Sequence, residues 1–115
     1  MTQLQERLRH LPSHSVVLFV CFFKDVEGRQ FLNAAEALPM VVAAANAPVF
    51  GVADQYLGRG VVGGYVVSFE EQGKIAARDA LDILGGKSPE DIPIVHSPGV
   101  YMFDWRELRR WKLDE

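Results

Sequence analysis

The chain has 115 residues, 49% of them apolar and 23% charged, which suffices for one domain with a single core and is too few for two. About half the residues can enter a core, so an intrinsically disordered chain is excluded. Twelve Lys and Arg against fifteen Asp and Glu leave a net charge of −3, the wrong sign for a surface dedicated to nucleic acid or acidic membrane.

Leu4, Leu8 and Leu11 fall at helical spacing among charged residues and predict a short amphipathic helix ended by Pro12. Ser15 to Phe23 is a run rich in β-branched and aromatic residues. It reads as a central strand covered on both faces, as in a parallel sheet. Cys21 lies inside this run and has no second cysteine to pair with, so it reads as an inert small hydrophobe. The longest uninterrupted apolar stretch, Val16 to Phe23, has eight residues, against roughly 18 for a membrane span. The first twenty residues lack the order of a signal peptide. The chain therefore reads as soluble.

Asn33 with Glu36 has the form of a helix start, Asn capping and Glu reaching back. The helix that follows, through Ala45, is almost wholly apolar and should be buried, with Pro39 near its first turn or at a kink. Pro48 to Val52 predicts a second strand. Gly58, Gly60, Gly63 and Gly64 then crowd seven positions and imply unusual dihedrals or a close backbone approach. Tyr65 to Phe69 reads as extended. Phe69, Ala76, Ala80 and Ile83 share one face of a helix that stops at Gly85 and Gly86. Pro93 to His96 and Val100 to Phe103 predict two more strands, and Asp104 with Glu107 opens a C-terminal helix within 104–115. Trp105, Leu108 and Trp111 have one-face spacing in it, which predicts docking through the tryptophans.

This alternation predicts an α/β domain over 1–115: a mostly parallel open sheet with helices on both faces, three layers deep. Ligands of such sheets sit beyond the carboxyl ends of the strands.

No catalytic constellation stands out. Gly58-Arg-Gly60-Val-Val-Gly63 matches the letters of a dinucleotide fingerprint but leads into an extended segment rather than a helix. Asp25 and Asp54 each follow a strand, as in a phospho-acceptor pocket, yet the acidic pair and the lysine of such a site are missing. His10, His14 and His96 do not converge on a metal, so neither a metal nor a cofactor is expected. Trp105 to Lys112 mixes aromatics and cations, but the overall acidic charge argues against a polyanionic partner.

Ser15 to Asp25, Ala47 to Gly60 and Gly63 to Ala77 together resemble the second half of a type I periplasmic-binding fold. The resemblance is to the substrate-binding-protein-like sensor region of bacterial membrane histidine kinases, which is related to ABC-transporter binding proteins. The ending Tyr101 to Lys112 resembles the segment that closes that region. The resemblance implies a non-enzymatic, extracytoplasmic ligand-binding module that senses a small solute between two lobes and passes a closure movement to the rest of a parent sensor protein. It places the ligand against Phe23, Lys24 and Asp25 after the first strand and Asp54, Gln55 and Tyr56 after the second, with Arg59 beside the glycines. Tyr56 would stack on a flat ligand, and Asp54 and Lys24 would meet charged groups. Turn or helix capping is the competing role for Asp25 and Asp54. A complete type I fold needs two lobes and far more than 115 residues, so the chain reads as a fragment, with homo-oligomerisation expected through an exposed sheet edge or apolar face. The alternatives are a fragment of an ABC-transporter solute-binding protein and a small flavodoxin-like or nucleotide-binding domain.

Overall fold

The computed structural model describes residues 1–113; the end of the expected C-terminal helix, at 114–115, lies outside the described residues. Two helices and one parallel strand pair form the core. Helix α1 (Thr2–Arg9) buries Leu8 and carries Arg7 and Arg9 in its last turn, where cations complement the helix dipole. Strand β1 (Val17–Phe19) pairs in parallel with β2 (Val49–Gly51), Val17 opposite Val49 and Phe19 opposite Gly51. Between them runs α2 (Ala34–Ala44). The cap read from the sequence is present: Asn33 Oδ1 accepts from the Glu36 N–H at 3.1 Å, and Glu36 Oε2 accepts from the Leu32 N–H at 2.6 Å. Ala37 and Leu38 have no exposed surface, and Leu38 packs with Leu8, Phe19, Val41 and Val49. Pro39 is the sixth residue of α2, one turn beyond the cap, and cannot donate to the carbonyl four residues earlier.

The apolar run around β1 departs from expectation. Its regular part is three residues long, and only one face is covered. Phe19 is buried against α2, whereas Val16, Leu18 and Val20 point away and are exposed, Leu18 by 64%. Side chains alternate across a strand, and among the described residues nothing packs on the second face. A sheet with helices on both faces is thus not formed here.

A second, separate two-stranded sheet is antiparallel. Strand β3 (Gly63–Val66) pairs with β4 (Val100–Phe103) in the opposite sense, Gly63 facing Phe103 and Val66 facing Val100. Gly63 has φ 127°, and a Cβ there would lie 2.1 Å from the Met102 carbonyl oxygen, so only glycine fits. The two ribbons are joined by flanking bonds from Val62 N–H to the Val49 carbonyl (2.7 Å) and from Val67 N–H to the Val52 carbonyl (2.8 Å). The expected strand at 93–96 is irregular chain, and Pro93 leaves it one donor short.

Helix α3 (Phe69–Leu84) begins at Ser68, whose Oγ accepts from the Glu71 N–H at 3.3 Å. It has the predicted length and amphipathic pattern, yet none of its residues is buried. Helix α4 (Trp105–Arg110) is capped by Asp104, which accepts from the Arg106 N–H at 2.9 Å. The predicted docking through both tryptophans does not occur. Trp105 is 60% exposed with the Arg109 guanidinium 5.2 Å from its ring, and Trp111 alone is partly covered, near Leu11 and Pro12. The molecule is correspondingly drawn out, 57 × 41 × 18 Å, with a radius of gyration of 18.1 Å, against about 13 Å for a compact domain of this length.

Candidate functional site

The carboxyl ends of β1 and β2 open into one groove. Past β1 the chain runs through Cys21 and Phe23 and returns to Leu32 and Asn33 at the start of α2. Past β2 it passes Val52 and enters the 3₁₀ turn Asp54–Tyr56. Val67 and Phe69, at the entry to α3, close the remaining side. The groove is open to solvent and has a volume of about 430 Å³, within the range of small-molecule pockets.

Tyr56 forms the floor. It is 3% exposed, meets Phe19 edge-on with ring centroids 5.2 Å apart, and donates its hydroxyl to the Val20 carbonyl at 2.9 Å. That bond fastens the chain after β1 to the turn after β2. Burial pushes the phenol above its ordinary pKa, Cys21 adds to the rise and Gln55 opposes it, so the group stays protonated and a donor. Phe23 and Phe69 are each about half exposed, although both are large aromatics. Asn33, Gln55 and Gln72 add amide groups, and no ionisable side chain other than Cys21 and Tyr56 lines the groove.

The sequence-predicted residues divide around this groove. Phe23, Gln55 and Tyr56 line it. Asp25 does not: its Oδ1 accepts from the Glu27 and Arg29 N–H groups at 3.0 and 2.9 Å, and its Oδ2 lies 3.1 Å from the Met1 ammonium. Burial acts to raise its pKa, but the Arg29 N–H, the Met1 ammonium and the Glu27 N–H outweigh it and hold the carboxyl below its ordinary value. Lys24 lies beside Asp25 on a neighbouring hollow with Gln3 and Arg7. Asp54 accepts from the Phe69 N–H through Oδ2 at 2.8 Å. Arg59 turns back to donate from Nε to the Gln55 carbonyl at 3.2 Å. Both aspartates thus hold backbone in place.

Sequence reasoning did not single out Asn33, Phe69 or Gln72 as site residues. Asn33 was accounted for by its cap and Phe69 by its helical face. The usable signal was a bulky aromatic at the junction of an extended segment with a helix. A second hollow of about 370 Å³ lies between α3 and 95–97, with Asp79 and His96 on its walls. It is a crease between two solvent-exposed segments and adjoins the groove at Gln72, which lines both.

The family model described as ABC transporter substrate binding protein matches residues 26–103. The chain belongs to this family. The match takes in Asn33, the turn with Gln55 and Tyr56, the glycine stretch and Phe69, and it begins after Phe23, Lys24 and Asp25. No curated protein and no solved structure matches the chain. Membership in the substrate-binding family supports ligand binding. The α/β architecture, with its small parallel pair, is compatible with part of a binding-protein lobe. No described helix is long and apolar enough to cross a membrane.

Proposed function

We propose that the chain is a non-enzymatic ligand-binding module of an ABC-transporter solute-binding protein, and that a small solute seats in the groove at the carboxyl ends of β1 and β2. The observation that carries this is the juxtaposition of the loops after two parallel strands, fastened by the Tyr56–Val20 bond, around an open apolar pocket. Such sheets present ligands at this edge. In this reading Phe23 and Gln55 touch the solute and Tyr56 supports them, while Asp25, Asp54 and Arg59 hold the surrounding loops and Lys24 stays on the neighbouring hollow. The module operates outside the cytoplasm. A further lobe covers the groove, completes a three-layer fold and closes over the ligand.

The setting in a sensor histidine kinase is the second reading. It rests on the resemblance of Ser15 to Asp25, Ala47 to Gly60 and Gly63 to Ala77, together with that of the ending Tyr101 to Lys112, and the sequence downstream in the gene separates it from a transporter component. A small flavodoxin-like or nucleotide-binding domain is the third.

A thermal-shift screen of amino acids, sugars, aromatic amides, nucleotides and flavins tests the proposal. A solute at one hundred times its Kd stabilises the folded chain by about 2.7 kcal/mol. Stabilisation by a small solute supports the binding-protein reading; stabilisation by nucleotides or flavin alone overturns it.

A further inference from the structure

We infer that the groove receives the flat, uncharged part of its ligand, an aromatic or heteroaromatic ring bearing an amide-like group. This rests on the reading of the groove as the ligand site and adds the ligand's chemical class.

Two features of the groove select a ring. Phe23 and Phe69 are 54% and 52% exposed at its rim, where half-bare aromatic faces gain from covering by a planar partner. They approach from different elements, Phe23 from the loop after β1 and Phe69 from the first turn of α3. The floor beneath them is the Tyr56 ring, fixed by its hydroxyl bond to Val20 and its edge contact with Phe19. Tyr56, 3% exposed, fixes the loops and offers almost no ring face of its own, so the two exposed aromatic flanks are what favour a slab-shaped occupant over a branched or spherical one.

The polar groups select a neutral one. Asn33, Gln55 and Gln72 offer amides, which both donate and accept. Asn33 Oδ1 is already taken by the Glu36 N–H, which leaves Nδ2 as its available donor. The Tyr56 hydroxyl is likewise committed. The nearby charges serve the backbone instead: Asp54 holds the Phe69 N–H, and Asp25 holds the 25–29 turn and the Met1 ammonium. The wall has no acidic or basic side chain to pair with an ionised ligand group, whereas a neutral amide finds both donors and acceptors among these three side chains.

An NMR titration that follows each backbone amide tests this, using the whole chain with benzamide, cyclohexanecarboxamide, benzoate and glycine at millimolar concentrations. Benzamide is expected to shift the amides of Phe23, Gln55 and Phe69 and to bind roughly tenfold more tightly than its saturated, non-planar counterpart. Phe23→Ala, at an exposed position, is expected to remove that advantage while leaving the unfolding temperature unchanged; Phe69→Leu provides the same comparison from the other flank. If benzoate, glycine or the saturated amide shifts the same amides at equal or lower concentration, the assigned class is wrong and the groove remains a ligand site. If none of the four probes, and no solute stabilising the chain in the thermal screen, shifts them, the ligand site itself is misplaced and both readings fall.

Discussion

The carboxylate of Asp54 accepts a hydrogen bond from the backbone N–H of Phe69 at 2.8 Å, fifteen residues away. The turn after β2 thereby caps a helix whose own N-cap, Ser68, is already occupied with Glu71. One short side chain holds two walls of the groove at a fixed separation. Replacing Asp54 with Ala should cost about 1 kcal/mol, as for loss of a helix cap, and should speed hydrogen exchange at the Phe69 amide. Unchanged exchange there would show that the bond does not persist in solution.

The hydroxyl of Tyr56 has an equally specific task. In Tyr56→Phe the ring still packs on Phe19, but the bond to the Val20 carbonyl is gone. A loss of about 1 kcal/mol is expected, read as a lower midpoint in denaturant with an unchanged slope. Tyr56→Ala should cost about 3–5 kcal/mol, since the core then loses a buried ring.

Gly63→Ala should break the β3–β4 ribbon. The added Cβ would meet the Met102 carbonyl at 2.1 Å with φ at 127°, and strain of this kind costs about 1–3 kcal/mol before the clash is counted. Loss of hydrogen-exchange protection confined to 63–66 and 100–103, with α1 and α2 still protected, is the expected pattern.

Acid should weaken the fold through Asp25. Hydrogen bonds and the Met1 ammonium hold its folded pKa below the unfolded value. Its stabilisation is therefore complete above the unfolded pKa, near pH 4, and disappears as the pH drops through the lower, folded one. Asp104, held low chiefly by its hydrogen bonds from Arg106, acts in the same direction. Thermal unfolding of the native chain and of Asp25→Asn, followed from pH 7 downward, should show a gap at neutral pH that closes below about pH 4. A gap that widens in acid would contradict the assigned sign.

The bare face of β1 predicts self-association. Leu18 is exposed between exposed Val16 and Val20, and an uncovered apolar strand at a sheet edge invites pairing. Sedimentation at micromolar concentration should show species larger than a monomer, and Leu18→Lys should shift them towards monomer without lowering stability.

How far the sequence revealed this arrangement differed from element to element. The cap at Asn33, the buried helix after it and the stop of α3 at Gly85 follow local rules, and all were legible. The apolar continuity from Val16 to Phe23 was not a safe guide, because it records that these side chains avoid water and not what lies on each side of them. The antiparallel pairing of β3 with β4 depends on Gly63 allowing the Met102 carbonyl to approach, a contact between residues 39 positions apart that no local pattern encodes. In the site, Phe23, Gln55 and Tyr56 could be placed at the groove because strand ends are predictable. The engagement of Asp25 and Asp54 with backbone could be stated only as an alternative, since either carboxylate would look the same in sequence whether it faced a ligand or a turn.

A small solute is expected to bind at the carboxyl ends of β1 and β2. Mapping backbone amide shifts with a solute that stabilises the chain tests it most directly. Shifts clustered on Phe23, Asn33, Gln55 and Phe69 are predicted. Shifts clustered instead on Ile75, Asp79 and His96, beside α3, would contradict it.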